Sequence, residues 1–294
     1  MSAFCKKASS SIQQICLEVL KCGPIPEHVA FIMDGNRRYA KKFNLEITEG
    51  HSRGVKKLSE CLKWCFELGI KEVTVYAFSI ENFTRSEKEV FTLMQLATDH
   101  CIKLLENEKK LENEGVCVRY IGNLALLPPE LKKLIAKVVL LTRKNKKFFL
   151  NVAFSYTSTD EIVNAVKSVA EGVYNKKITI EDINEELLTK CLYSSKGTDL
   201  LVRTSGEVRL SDFLLWQNSK AIFQFAKVLW PEFSFWHFVA AIFKFQRSYR
   251  DILELKNEKS RMTKESYLRI KLFLKELHKE RRTRLKLYAS DHEV

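Results

Sequence analysis

The sequence has little glycine and proline, 10 and 5 in 294 residues. That scarcity excludes collagen-like and low-complexity chains. Long apolar runs are also missing. The longest stretch without Asp, Glu, Lys or Arg covers only residues 148–159, whereas a spanning helix needs about 20 mostly apolar residues. No transmembrane helix is therefore expected. The apolar positions of residues 1–23 are spaced rather than continuous, and no small-residue cleavage site follows them, so no cleavable signal is expected. Nothing directs the chain to an oxidising compartment, and its 8 cysteines read as reduced thiols. There is no CxxC pair and no Cys/His cluster with zinc spacing. Cys61 and Cys65 stand one helical turn apart among Leu62, Trp64 and Phe66, the context of a buried pair rather than a metal site. Neither GxxxxGK[ST] nor GxGxxG occurs, so the usual nucleotide-binding fingerprints are absent.

What is present is an ordinary globular composition, 46% hydrophobic and 29% charged, which argues against wholesale disorder. The length suits one large domain or two small ones. The net charge is +13, and residues 244–286 hold 15 Lys/Arg against 6 Asp/Glu, so most of the excess lies in the tail. Nucleic acid, anionic lipid or a phosphate-bearing substrate would each select such a balance. No groove-reading motif or base-stacking platform is visible, and nucleic acid is not expected as a partner.

Residues 9–21 carry Ile12, Ile15, Cys16, Val19 and Leu20 on one helical face. Either a helix packed on the body or one lying on a membrane surface fits, and Lys6, Lys7 and Lys21 suit both. Gly23, Pro24 and Pro26 end that helix. Strands are expected over 28–33, 71–80, 116–121, 148–154, 199–202 and 221–225, where short apolar or β-branched runs are bounded by turn signals. Helices are expected from 37 onward and over 55–68, 86–111, 129–142 and 160–174. This alternation predicts an α/β fold with a mainly parallel central sheet flanked by helices. Strands that are apolar throughout suit a sheet covered on both faces. No internal repeat is present, and beyond 243 the pattern is helical with polar and basic faces. The expected organisation is an N-terminal amphipathic helix over 1–23, a body over 24–243, and a helical basic extension over 244–294.

Parallel sheets bind ligands at the carboxyl ends of their strands, which directs attention to residues 34–38, 79–85 and 203–211. In the first, Gly35 permits close backbone approach, the following helix start offers unpaired N–H groups, and Arg37 and Arg38 add forked donors that match phosphate oxygens. Asp34 is a lone carboxylate in this positive setting, which makes sense when a cation such as Mg²⁺ stands between it and phosphate. The second segment runs from Ser79 to Arg85. The third holds Arg203, Thr204, Ser205, Gly206, Arg209 and Ser211, a good diphosphate cradle. Taken singly, each also fits an ordinary turn, helix cap or polar loop. Met33, Phe78, Phe83, Leu210 and Phe213 run into these segments, so an anionic head on a greasy tail would satisfy both features.

The stretches HVAFIMDGNRRYAKK (28–42), GHSRG (50–54), YAFSIENFTRS (76–86) and RTSGEVRLSDFLLWQ (203–217), followed by VLWPEF (228–233), resemble in order and spacing the successive signatures of cis-prenyltransferases, the undecaprenyl diphosphate synthase family. The resemblance covers residues 28–238. The last long motif, together with Arg37 after Asn36, looks closest to the family's eukaryotic catalytic subunits, the dehydrodolichyl diphosphate synthases. The resemblance implies condensation of isopentenyl diphosphate onto an allylic diphosphate such as farnesyl diphosphate. A cis double bond forms each time, within an apolar tunnel, giving long polyprenyl diphosphates for dolichol and protein glycosylation. It implies that Asp34 holds Mg²⁺, that Gly35, Asn36, Arg37, Arg38 and His51 bind the allylic diphosphate, and that Arg85 closes that site. Arg203, Arg209 and Ser211 would bind isopentenyl diphosphate. Asn36 and Ser79 fall at the family's proton-removal and substrate-orientation positions, with Glu81, Asn82 and Glu89 as structural supports. Trans-prenyltransferases instead use paired DDxxD motifs, and none occurs here.

Three positions depart from the family pattern. A second metal-linked carboxylate of bacterial members falls at Ile222, and another arginine falls at Ile47. No glycine follows Gly206, so the RxG motif with which homodimeric members reach the partner's site is missing. The resemblance then implies a heteromer whose noncatalytic subunit, of the Nogo-B receptor type, donates the RxG tail. The alternative is a homodimer in which the basic tail takes its place. Ile270, Leu274, Leu277, Leu285 and Tyr288 among the tail's basic residues suit packing on a partner, contact with anionic lipid, or a solvated face. The implied location is peripheral, on the cytosolic face of the endoplasmic reticulum membrane. The competing reading is a noncatalytic lipid-binding or scaffolding relative; such relatives lose the aspartate and arginines, whereas Asp34, Arg38, Arg85, Arg203, Arg209 and Ser211 are all present.

Overall fold

A computed structural model of the protein describes residues 3–255 and 263–290. Residues 1–2, 256–262 and 291–294, which the sequence assigns to the N-terminal helix and the basic extension, lie outside the described residues, as do the side chains of Lys6 and Lys7. The strands are β1 (His28–Ile32), β2 (Glu72–Ser79), β3 (Val116–Ile121), β4 (Phe148–Tyr156), β5 (Leu200–Arg203) and β6 (Ile222–Phe225). They form one sheet in the order β3-β4-β2-β1-β5-β6, with β1–β5, β5–β6 and β3–β4 all parallel. The helices are α1 (Ala3–Lys21), α2 (Asn36–Lys42), α3 (Ile47–Leu68), α4 (Glu87–Glu106), α5 (Glu108–Glu114), α6 (Pro129–Thr142), α7 (Ser158–Tyr174), α8 (Glu185–Cys191), α9 (Phe235–Arg247), α10 (Tyr249–Leu255) and α11 (Lys264–Ala289). The α/β fold with a parallel sheet is as the alternating pattern predicts.

Boundaries differ where polar residues obscure the pattern. The expected helix over 86–111 is broken between α4 and α5 at Asn107, whose side-chain amide donates to the Lys103 carbonyl at 2.7 Å. A local side-chain bond of this kind competes with helix continuation. Helix α3 begins at Ile47 rather than at 55; its first turns hold two glycines and almost no apolar residues, so the apolar pattern does not reveal them.

The chain divides into two units, one of residues 1–75, 197–209 and 218–256 and the other of 76–196, 210–217 and 257–294. In the first, Phe31 of β1 packs on Trp230 and Phe233 at centroid distances of 5.9 and 6.5 Å. The Asp199 carboxylate accepts from the N–H groups of Glu27 and His28 at 2.8 and 2.9 Å, which ties the entry of β1 to that of β5. The buried His28 ring bonds the Gly197 carbonyl and the Thr74 hydroxyl. Helix α1 buries Leu17 and Leu20, and Gln246 of α9 donates to the Leu20 carbonyl at 2.7 Å. Its Ile12, Ile15 and Val19, which the sequence groups with Leu20 on one face, are exposed.

In the second unit, α4 and α6 cover a core of Phe78, Met94, Cys101, Val118, Ile135 and Phe154. A second core joins Ala165 and Val169 of α7 and Leu187 of α8 to Ile270 and Phe273 of α11, with Leu274 and Leu277 packed against it. Part of the basic extension thus finds its apolar partner within its own chain. Asp182 fixes the start of α11: it accepts from Arg269 Nε and Nη2, each at 2.8 Å, and from the Ser266 hydroxyl at 2.6 Å. The Arg269 guanidinium holds the Asp182 carboxyl well below the usual carboxylate range. A carboxylate depressed in this way stabilises the fold above its unfolded pKa of about 4, and that contribution is lost as pH falls below it. Asp182→Asn is expected to lower Tm at pH 7 and to flatten the decline of Tm with acid relative to wild type. Parallel melting curves from pH 7 downward check this, and equal acid slopes would remove Asp182 from the role.

Candidate active site

The pairing of β1 with β5 sets Ile32 opposite Arg203. The segments leaving these two carboxyl ends therefore start side by side. Arg203 is buried, and its Nη2 donates to Asp34 Oδ2 at 3.0 Å; its Nη1 donates to the Arg209 carbonyl. The Asp34 carbonyl accepts from the Thr204 hydroxyl at 2.7 Å and from the Trp230 N–H at 3.0 Å. Its backbone is held from two sides, while its carboxylate remains 31% exposed. A fixed, accessible carboxylate beside a buried guanidinium results.

Gly35 takes φ 110° as the cap of α2, a conformation that side-chain-bearing residues rarely adopt, and a Cβ there would lie 3.0–3.2 Å from Leu229. The turn directs the start of α2, with Asn36, Arg37 and Arg38, away from the end of β1. First-turn N–H groups lack partners within a helix and favour an anion. Arg38 donates to the Ser205 hydroxyl, and its Nη2 lies 3.2 Å from Glu207 Oε1 and 3.8 Å from Asp34 Oδ1. Arg209 pairs with the other oxygen of Glu207. The loop carrying these groups is anchored by Ser205 N–H on the Val228 carbonyl (2.7 Å) and Gly206 N–H on the Ala226 carbonyl (2.9 Å). Asp34, Arg38, Arg203 and Arg209 are therefore brought together, with the Thr204 and Ser205 hydroxyls of the expected cradle beside them. Glu207, to which the sequence pattern assigns no role, joins them through Arg38 and Arg209; its place in the same strand-end segment is the available signal.

His51 stands on α3 between Gly50 and Gly54. A Cβ on Gly54 would fall 2.4 Å from Asn36 Oδ1, and one on Gly50 would fall 2.6 Å from the Asn36 carbonyl. The two glycines, four apart on one helical face, let α3 press against the start of α2. Asn36 Oδ1 is buried there with no hydrogen-bond partner, which is unusual for an amide acceptor. The Trp230 indole N–H donates to the Gly54 carbonyl at 2.8 Å. In sequence the histidine is the motif's evident ligand candidate; the packing role of its glycines shows only in the structure.

The second unit carries Ser79, Arg85 and Ser211. The Ser79 hydroxyl accepts from the Glu81 N–H at 3.2 Å, and the Ser79 N–H donates to Asn82 Oδ1 at 3.1 Å, so these residues cap the turn after β2. Arg85 pairs with Glu89 at 2.8 Å. Ser211, Asp212 and Leu214 have φ of 49°, 52° and 48°, an unusual run of left-handed residues that needs firm support. Tyr76 donates to the Ser211 carbonyl at 3.2 Å, Ser158 N–H to the Asp212 carbonyl at 2.7 Å, and Gln217 to Glu161 at 3.1 Å. Glu161 also accepts from Tyr156 and from the N–H groups of Tyr193 and Ser194. Burial pushes its carboxyl up, and these donors oppose that shift. Of the departing positions, Ile222 opens β6 and Ile47 opens α3.

Among the described residues no group of three or more His, Cys, Asp or Glu is arranged to hold a metal ion. The donor set at Asp34, one accessible carboxylate facing arginines, fits Mg²⁺ held jointly by protein and diphosphate oxygens, the usual manner for this hard cation.

Strand ends of a parallel sheet that gather arginines, the Asp34 and Glu207 carboxylates and a glycine-capped helix start suit a phosphate-bearing ligand. Residues 32–252 match the family described as "Putative undecaprenyl diphosphate synthase", and the chain belongs to this family, the cis-prenyltransferases. It is 54% identical over 239 residues to the dehydrodolichyl diphosphate synthase complex subunit DHDDS of Homo sapiens, covering 81% of this chain and 72% of that protein. It is 43% identical over 236 residues to the geranylgeranyl-diphosphate-specific tritrans,polycis-undecaprenyl-diphosphate synthase of Picrophilus torridus, covering 80% and 92%. The crystal structure of lavandulyl diphosphate synthase from Lavandula x intermedia, in complex with dimethylallyl diphosphate, superposes with TM-score 0.71 at 32% identity, covering 76% and 95% of the two chains.

Proposed function

We propose that this cis-prenyltransferase condenses isopentenyl diphosphate onto farnesyl diphosphate, building a long polyprenyl (dehydrodolichyl) diphosphate for dolichol and protein glycosylation. The observation that carries this reading is the Asp34–Arg203 ion pair, with Arg38 and Arg209 in the same cradle. A noncatalytic scaffold would have no use for that arrangement. Gly35, Asn36, Arg37, Arg38 and His51 bind the allylic diphosphate and Arg85 closes over it. Arg203, Arg209 and Ser211 take isopentenyl diphosphate, and Ser79 orients substrate. The catalytic body spans 24–243.

The allylic C–O bond breaks with its electron pair going to diphosphate. The double bond of isopentenyl diphosphate bonds to the freed allylic carbon, and a proton is lost from the neighbouring carbon to leave a cis double bond. Arginines placed where negative charge develops act most strongly in the transition state. Holding both diphosphates side by side makes the carbon–carbon step effectively intramolecular. Mg²⁺ held at Asp34 would neutralise charge on the departing diphosphate. Asn36, at the start of α2, assists proton removal, and the released diphosphate accepts the proton.

The human relative is named as a complex subunit, and these 294 residues hold no glycine after Gly206. An RxG motif would come from outside them, and a Nogo-B receptor-like noncatalytic subunit is its proposed source. No helix among the described residues is long and apolar enough to cross a membrane. Exposed Ile12, Ile15 and Val19 on α1 support peripheral contact, proposed for the cytosolic face of the endoplasmic reticulum membrane.

The test is incorporation of labelled isopentenyl diphosphate onto farnesyl diphosphate with Mg²⁺, by the chain alone and with the second subunit. Elongation that depends on the subunit is expected. Full activity of the chain alone would retain the enzyme and remove the partner; no transfer in either case would overturn the reading.

A further inference from the structure

Glu207 has no part in the reaction just described, yet it stands at its centre. One carboxylate oxygen lies 3.2 Å from Arg38 and the other pairs with Arg209. These two arginines belong to different diphosphates in the proposed function, on which this inference rests. A single carboxylate thus spans both cradles, each oxygen on one guanidinium, much as two phosphate oxygens would be.

The frame of the site does not depend on Glu207. Arg38 also donates to Ser205, Arg203 is held by Asp34 and the Arg209 carbonyl, and the loop backbone is fixed at Ser205 and Gly206. Releasing the carboxylate would leave these contacts in place. Repeated elongation imposes a need that such a group meets. After each bond forms, pyrophosphate must leave the Arg38 side, and the lengthened chain must pass its diphosphate from the Arg209 side to the Arg38 side. Arginine–phosphate pairs are strong and bidentate, so an uncontested cradle would retain its product.

We propose that Glu207 is an internal competitor for the diphosphate arginines, which reclaims Arg38 as pyrophosphate departs and so permits the next addition. It is a positioning residue for the arginines and does not touch the reacting carbons.

The test compares wild type with Glu207→Gln, which keeps the shape and removes the charge. Calorimetric titration of the full chain with inorganic pyrophosphate and Mg²⁺ should give a Kd about tenfold lower in the variant, equivalent to about 1.4 kcal/mol. Rapid-quench elongation, run with the second subunit present, should show the first addition as a burst followed by a slower steady state, and shorter products. Equal melting temperatures establish that the variant folds, and Glu207→Ala serves as a second variant if they differ. Weaker or unchanged pyrophosphate binding, or absence of a burst, overturns the proposal. Should wild type itself neither bind pyrophosphate nor extend farnesyl diphosphate, the proposed function fails and this inference with it; normal wild-type behaviour with an unresponsive variant sinks this inference alone.

Discussion

Replacing Asp34 by asparagine is expected to lower kcat by about a thousandfold, roughly 4 kcal/mol of transition-state stabilisation, in a protein that remains folded. The choice of substitution follows from Arg203. That guanidinium is 3% exposed and donates to Asp34 at 3.0 Å. Asp34→Ala would leave a buried charge without its partner, at a cost of about 3–5 kcal/mol, so that lost activity and lost fold could not be separated. Asparagine keeps an oxygen for Arg203 to reach, so the buried guanidinium retains its hydrogen bond while the carboxylate's charge is removed. What disappears is the carboxylate to which the proposed function gives the cation shared with diphosphate. Steady-state kinetics at saturating Mg²⁺, beside melting curves, decide the matter. A fall of less than tenfold in kcat would show that Asp34 does not carry this role.

The sequence was most legible where periodicity and strand-end logic coincide. The six strands can be placed because short apolar runs sit between turn residues, and the strand ends alone point to Asp34, Arg38, Arg203 and Arg209. That Asp34 meets Arg203 depends on β1 lying beside β5, a pairing across some 170 residues (positions 34 and 203) that no local pattern encodes. The supports of the site were less legible for the same reason. Glu161 holds the segment after Ser211 through Gln217, and its carboxylate looks in sequence like any helix-start acid. The docked face of α11 was obscured by composition: Ile270 and Phe273 are few among lysines and arginines, and their partners on α7 and α8 lie far back in the chain. In α1 the periodicity itself misled, since the buried Leu17 and the exposed Ile12, Ile15 and Val19 are equally apolar.

Gly54→Ala tests the least visible of these supports, and its expected signature is a lost activity with a nearly unchanged fold. In the middle of a helix, alanine is favoured over glycine by about 1 kcal/mol. Against that gain stands overpacking, which ordinarily costs about 1–3 kcal/mol. The new methyl would lie 2.4 Å from Asn36 Oδ1 and 3.1 Å from Trp230. The indole is fixed by its bond to the Gly54 carbonyl, so the nearby group able to yield is the end of the Asn36 side chain, whose oxygen is bonded to nothing. Asn36 should rotate away, relieving the clash and moving the amide out of the site at the start of α2. The two energies then nearly cancel in Tm, while kcat/KM for the allylic substrate is expected to fall by about a hundredfold, roughly 2.7 kcal/mol. The KM for isopentenyl diphosphate, which this reading assigns to other residues, should change little. Wild-type kcat/KM in a stably folded variant would show that Asn36 can leave its place without consequence, and would remove both the glycine and the amide from the site.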